Sequence, residues 1–183
     1  MKIVHYPHPA LRHKAEPLKM ISKELHLQAG HMLELMYERE GLGLAGPQVD
    51  FPFQMIVMNF QGKPENKEAE CVAINPVIIE TKGTMDGQEG CLSFPGLYQK
   101  VRRARQVKVQ AYNLKGELFE MVCSELASRL WQHEIDHLSG VLFIDKMGPL
   151  GRQGSRKMLD EFIEDFEKAV SKGEIPPGTA PAF

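Results

Sequence analysis

The sequence predicts a single α+β domain in which mixed or antiparallel sheets pack around a central helix with an HExxH pattern, with one further helix on its N-terminal side and one on its C-terminal side. Three segments have apolar residues at helical spacing, and short apolar runs bounded by turn residues lie between the first and the second of them. The 183 residues contain no internal repeat and no linker, and they suffice for one compact core. We therefore expect one domain over residues 1–183.

The first helix is predicted from Lys23 to about Glu38. Ser22 is a favoured N-cap residue, the apolar residues that follow recur at helical spacing, and Gly41 is placed to end the helix. The proline-rich residues 1–21 are predicted to be irregular.

Strands are predicted in the middle of the chain. A short apolar run at 55–58 precedes a polar surface loop at 61–70, and β-type runs follow at 71–81, 106–112 and 118–123, the last two joined by a hairpin turn. A second helix is predicted at about 124–138 and a third at about 154–170. Residues 171–183, rich in proline and glycine, are expected to form a loose tail.

The composition excludes several classes of protein. The 22 basic and 24 acidic residues nearly balance, which argues against specific DNA binding. No apolar run reaches the roughly 20 residues of a membrane span, and the N-terminus lacks the apolar region of a secretory signal, so a cytoplasmic location is expected. Three cysteines without CxxC spacing argue against a disulfide framework.

The strongest chemical pattern is His133-Glu134-Ile135-Asp136-His137 on the second helix. Helical residues four apart differ by about 40° around the axis and about 6 Å along it, so both imidazoles can face one metal ion. Glu134 is placed to reach a water molecule on that ion. This pattern predicts a metallohydrolase, against the alternative of two surface histidines on a solvated helix.

A catalytic metal site normally has three protein ligands, so a third is required. The segment after the helix offers Asp145 and Glu161, as carboxylate ligands, but no third histidine. Cys91, within Glu89-Gly90-Cys91-Leu92-Ser93, is the other candidate, because a thiolate is stabilised beside a cation. The residue pattern by itself leaves these alternatives open.

A third segment, Gly41-Leu42-Gly43-Leu44-Ala45-Gly46-Pro47-Gln48, has glycines at alternate positions and ends in an amide donor. Taken alone, it is best explained as a turn between a helix and a strand.

Together the three segments resemble the three signature motifs of the peptide deformylase family: GΦGΦAAxQ (Φ apolar), EGCLS and HExDH, in this order. The opening residues from His5 to Arg12 are also similar to that family, so the resemblance covers roughly residues 3–150. Gly46 stands where the family more often has alanine.

The resemblance implies the roles of individual residues. Cys91, His133 and His137 would bind one Fe²⁺ ion, for which Zn²⁺, Ni²⁺ or Co²⁺ can substitute. Glu134 would act as general base and then general acid, while the Gln48 amide and the Leu92 backbone N–H would stabilise the oxyanion. The reaction implied is hydrolysis of the N-formyl group from the formylmethionine of nascent polypeptides, with release of formate.

The resemblance also implies a substrate site and partners. The residues expected to bind the formylmethionyl peptide are Leu42, Gly43, Gly90, Leu126 and Leu130. Arg129 has two interpretations, closure of the pocket rim or pairing with an acid such as Glu89. The basic residues Lys100, Arg102 and Arg103 are candidates for further peptide contacts. In relatives a C-terminal helix can dock near the ribosomal exit tunnel, and the basic start of the third helix would favour such a partner, but a solvated helix face is the better explanation of its mixed charges.

Two other functions remain open at this point. A zinc peptidase using the same HExxH helix would take a ligand other than Cys91. A non-catalytic relative would keep the fold and bind metal or nascent chains without turnover, although such a protein would be expected to lack Gln48, Cys91 or Glu134.

Overall fold

The computed structural model describes all 183 residues and contains three α-helices and seven β-strands. The helices are α1 (Lys23–Glu38), α2 (Glu125–Leu138) and α3 (Pro149–Ser171). The strands are β1 (Gly43–Ala45), β2 (Met55–Asn59), β3 (Glu70–Lys82), β4 (Met85–Cys91), β5 (Phe94–Arg103), β6 (Gln106–Tyr112) and β7 (Leu118–Ser124). None of the helices combines the length and the apolar character that a membrane span requires.

Five strands form the larger sheet, in the order β1-β2-β3-β6-β7. Every neighbouring pair is antiparallel, and the predicted hairpin between β6 and β7 is confirmed. Strands β4 and β5 form a separate antiparallel hairpin. The α+β class is therefore confirmed, and the only parallel pairing is an isolated bridge between Glu16 and Phe53.

At strand β2, both faces of the larger sheet are covered by other parts of the protein. Successive side chains of a strand point to opposite faces. Accordingly Ile56 and Met58 pack in one cluster with Trp131 of α2, whereas Met55 and Val57 pack in another with residues of α1. Because both faces are buried, β2 is a continuous apolar run in the sequence rather than an alternating one.

Helix α1 has the bounds predicted from the sequence. The N–H of Leu25 donates to the Ser22 hydroxyl oxygen at 3.3 Å, which is the N-cap bond expected. The apolar face of α1 contributes four buried residues to the sheet: Leu25, Ala29, Met32 and Met36. This helix thereby packs against Leu44 of β1, within the glycine-rich segment.

A second core joins the β4–β5 hairpin to the N-terminal segment and to α3. Its buried members include Val4, Tyr6, Leu11, Phe94, Leu97, Val101 and Phe143. The hairpin is held from behind by this cluster, so that the end of β4, with Cys91, is presented toward α2.

Two parts of the fold differ from the sequence prediction. Helix α3 begins at Pro149 rather than near 154, because proline fits the first turn of a helix, where no N–H donor is needed. Strands β1, β4 and β5 were not predicted. Strand β4 consists mainly of glycine and polar residues and has no apolar alternation, so only its hydrogen-bonded pairing with β5 identifies it as a strand.

The residues beyond α3 also contact the N-terminal segment. The N–H of Ala182 donates to the carbonyl of Pro7 at 2.9 Å.

The position of Trp131 leads to a stability prediction. Its side chain is fully buried between α2 and the sheet, so Trp131→Ala leaves a large cavity and should lower the free energy of unfolding by about 3–5 kcal/mol. Leu27→Ala on the exposed side of α1 is the control, with an expected change within about 0.5 kcal/mol. Urea unfolding measures both, and equal losses for the two variants would contradict this packing.

Candidate metal-binding active site

Three side chains from two separate parts of the sequence converge at one point. Cys91 lies at the end of β4, and His133 and His137 lie one turn apart on α2. One ligand atom from each lies within 4.8 Å of the others, and Cys91 Sγ is 3.4 Å from His137 Nε2. Since metal–sulfur and metal–nitrogen bonds are about 2.0–2.3 Å long, one cation can reach all three atoms.

The alternative third ligands lie elsewhere. Asp145 accepts a 2.9 Å hydrogen bond from Arg12 and a 2.8 Å bond from the Leu142 N–H. Glu161 lies on α3, where Lys157 is 3.8 Å away. Only Cys91 joins the two histidines in a cluster of possible ligands.

Glu89 fixes the orientation of His133. Its Oε2 lies 3.0 Å from His133 Nδ1, which turns the other ring nitrogen, Nε2, toward Cys91. Arg103 donates to both oxygens of Glu89, at 2.8 and 2.9 Å, and Arg129 donates to Oε1 at 2.6 Å. Burial opposes ionisation of this carboxyl, but the bonds from Arg103 and His133 outweigh it and hold the pKa of Glu89 well below its usual range.

The charges around the two histidines suit a bound cation. Burial disfavours a charged His133, yet the hydrogen bonds to Cys91 and Glu89 prevail and raise the pKa of His133 well above its ordinary value. Burial and the neighbouring His133 lower the pKa of His137, which keeps that ring neutral and able to ligate. The site therefore favours one positive charge beside a thiol and two imidazoles, a donor set that suits Fe²⁺, Zn²⁺, Ni²⁺ or Co²⁺.

Glu134 is buried beside the cluster with its Oε2 free of any hydrogen-bond partner in the protein. Burial is the main reason that the pKa of Glu134 is raised to about 7. Gly43 makes this position possible, because a Cβ atom at residue 43 would lie 2.5 Å from Glu134 Oε1. The carboxyl group can therefore exchange a proton near neutral pH.

Gln48 is held with its amide nitrogen toward the cluster. Its Oε1 accepts a 2.8 Å hydrogen bond from the Ala45 N–H, which fixes the orientation of the side-chain amide. The Nε2 donor lies 3.4 Å from both Cys91 Sγ and Ser93 Oγ. Leu92 lies between these two residues in the chain and lines the same cleft.

These groups open onto a cleft with a volume of about 530 Å³. All five residues expected to bind substrate line it: Leu42, Gly43, Gly90, Leu126 and Leu130. Arg129 donates to Glu89, as the second interpretation expects, and it also lines the cleft.

The basic residues of β5 do not line this cleft. Arg102 binds Asp86 at 3.0 Å, Lys100 is 4.0 Å from the same carboxylate, and Arg103 is buried against Glu89. Instead, β5 contributes Tyr98 to the cleft wall. The sequence had also given no role to Glu89 beyond pairing with Arg129, although its place two residues before Cys91 was a usable signal.

Comparison with known proteins agrees with this geometry. The model of the polypeptide deformylase family matches residues 1–153. A peptide deformylase from Rhodopirellula baltica is 41% identical over 175 residues, which cover 96% of this chain and 87% of that protein. A peptide deformylase from Acidobacterium capsulatum is 47% identical over 150 residues, covering 82% of this chain and 88% of that protein.

Solved structures give the same result. Crystals of peptide deformylase from Plasmodium falciparum contain a chain that matches with a TM-score of 0.89 and 38% identity, over 91% of this chain and 98% of that chain. Arabidopsis thaliana peptide deformylase 1B in complex with an inhibitor matches with a TM-score of 0.89 and 37% identity, over 97% of both chains. Because the family model matches most of the chain, and both the related sequences and the solved structures are more than 30% identical to it, the chain belongs to the polypeptide deformylase family.

Proposed function

We propose that this protein removes the N-formyl group from the N-terminal formylmethionine of nascent polypeptides and releases formate. One observation carries the proposal: Cys91, His133 and His137 converge beside a cleft whose lining includes Cys91, His133, Glu134 and Gln48. Hydrolysis of an amide requires a nucleophile, a proton acceptor and donors for the oxyanion, and this cleft holds groups suited to each task.

Cys91, His133 and His137 hold the metal ion in this proposal. The thiolate adds negative charge to the site, and together with two imidazoles it makes Fe²⁺ an acceptable occupant, with Zn²⁺, Ni²⁺ or Co²⁺ as substitutes. When bound, the ion supplies Lewis-acid polarisation of the formyl oxygen and lowers the pKa of a water molecule. Glu89 supports the ligand set by holding His133 in place.

Glu134 transfers the protons. With its pKa raised to about 7, it can accept a proton from the attacking water and later donate that proton to the departing amine. The Gln48 Nε2 and the Leu92 N–H donate hydrogen bonds to the oxygen on which negative charge develops. Because the 2.8 Å bond to Ala45 already fixes the Gln48 amide, this donor needs little reorganisation during the reaction.

The cleft accommodates the substrate beside α2. Leu42, Leu126 and Leu130 form an apolar wall suited to the methionine side chain. Gly43 and Gly90 also line the cleft, where their backbone groups can pair with an extended peptide. The whole chain serves as one catalytic domain that acts in the cytoplasm on chains emerging from the ribosome.

The competing function is that of a zinc peptidase. A zinc peptidase would cleave internal peptide bonds, whereas the proposed reaction stops after formate is released. A peptide that carries both a formyl-methionine and internal bonds separates the two functions in one assay.

The role of Glu134 can be tested with Glu134→Gln. The substitution keeps the shape of the side chain but removes proton transfer, so formate release from a formyl-methionyl peptide should fall by about 10²–10⁴-fold with the metal still bound. Glu125→Gln, in the first turn of the same helix and exposed, is the matched control and should keep the full rate. A Glu134→Gln enzyme with an unchanged rate would exclude this role.

The role of Cys91 can be tested by metal analysis. Cys91→Ala removes one of three ligands, so the purified protein should lose most of its metal and its activity, since catalytic metal sites normally take three protein ligands. Cys71→Ala is the control, because Cys71 lies on β3 outside the cluster. Full metal content in Cys91→Ala, measured by mass spectrometry of the metal, would refute the assignment.

The identity of the working metal can be tested with oxygen. A ferrous ion beside a thiolate is sensitive to oxidation, so the iron-loaded enzyme should lose activity faster in air than under anaerobic, reducing conditions. The zinc- or nickel-loaded enzyme should be less affected. Equal half-lives of the iron-loaded enzyme with and without oxygen would count against Fe²⁺.

A further inference from the structure

Leu42 lies between the cleft and the loop that connects β2 to β3. Its side chain lines the cleft. On the other side it meets Gly62, where a Cβ atom would lie 2.8 Å from Leu42 Cδ2. Gly62 does not line the cleft, so the loop contacts Leu42 from behind. The position of this part of the cleft wall therefore depends on the loop.

Asn59, at the end of β2, fastens the loop. Its side chain is fully buried, and Nδ2 lies 3.0 Å from the Lys63 carbonyl oxygen and 3.2 Å from that of Asn66. Its Oδ1 accepts a 2.9 Å bond from the Gln61 N–H, and its carbonyl accepts a 3.0 Å bond from the Gly62 N–H. This buried side chain thus contacts the loop at Gln61, Lys63 and Asn66.

Asn59 is also connected to the cleft wall and to α1. Its backbone N–H donates to the carbonyl of Leu42 at 2.9 Å. Its Nδ2 donates to the hydroxyl oxygen of Tyr37 at 2.8 Å, and that hydroxyl donates to Glu70 at 2.9 Å. The loop is therefore fixed relative to both the backbone and the side chain of Leu42.

We propose that Asn59 and Gly62 are positioning residues that hold Leu42 in place and thereby set the width of the pocket for the first side chain of the substrate. The inference rests on the proposed function, and it identifies the part of the chain that determines how large a first residue the enzyme accepts. Neither residue touches the substrate. Because Leu42 packs directly on the loop, a change of one methyl group behind it is transmitted to the cleft.

Gly62→Ala tests the inference directly. The new methyl group pushes Leu42 toward the cleft, so the ratio of kcat/KM for a formyl-methionyl peptide to that for a formyl-alanyl peptide should fall by about tenfold. Gly83→Ala is a matched control. Both glycines have φ +63, so both substitutions are strained, but a Cβ at residue 83 meets only Arg105 Cβ at 3.5 Å. This variant should keep the ratio of the wild type.

Asn59→Ala provides a second test without added bulk. Release of the loop leaves Leu42 less constrained, so the same ratio should fall by about threefold, mainly through KM for the larger substrate. Asn113→Ala is its control, because Asn113 likewise ties a turn, accepting bonds from Lys115 N–H at 2.9 Å and Glu117 N–H at 3.0 Å, in the β6–β7 hairpin. It should lower stability without altering the ratio.

The outcomes separate this inference from the proposed function. A wild-type protein that releases no formate from either peptide would refute the function itself. An active wild type whose ratio is unchanged, within about twofold, in both Gly62→Ala and Asn59→Ala would overturn only the role of the loop. Should Gly62→Ala fail to fold, the ratio of Asn59→Ala against Asn113→Ala decides the question.

Discussion

The buried carboxylate of Glu89 is the constraint on which the site depends. It binds Arg103 of β5 and Arg129 and His133 of α2, so one side chain joins the hairpin to the helix. Charges with so little exposure to solvent are stable only when they are paired, and loss of Glu89 would leave the buried guanidinium of Arg129 with backbone carbonyl partners but no carboxylate. The network also extends to Asp136, which binds Arg103. The hairpin and the helix are thereby locked in one relative position.

The fixed position of the hairpin relative to the helix also positions the candidate ligands, because the hairpin carries Cys91 and the helix carries both histidines. The apolar side of α2, with Trp131 and Leu138, is held against the larger sheet, so the histidines face the hairpin. The second core, behind β5, supports the hairpin from the opposite side. The three candidate ligands are thus preorganised by two independent hydrophobic clusters and one ionic network.

The same arrangement also positions Glu134 and Gln48 beside the cluster. Glu134 is buried against Gly43 of β1, and this burial is what raises its pKa. Gln48, in the turn after β1, is fixed by its bond to Ala45. In the proposed mechanism, Glu134 and Gln48 act as oriented polar groups where solvent would otherwise lie. The fixed position of the glycine-rich segment is therefore as important as the reactive side chains on α2.

The sequence alone determined α1, the β6–β7 hairpin and α2, because their signals are local: an N-cap, periodic apolar residues and a turn. It also determined that His133 and His137 share one helical face, since that follows from their spacing. Only the tertiary structure decided the pairing of β4 with β5, because a strand of glycine and polar residues has no periodicity of its own. Tertiary structure likewise brought Cys91 within 3.4 Å of His137, 46 residues away, and placed Glu89 behind His133. Such contacts depend on the packing of separate elements, which no local pattern in the sequence specifies.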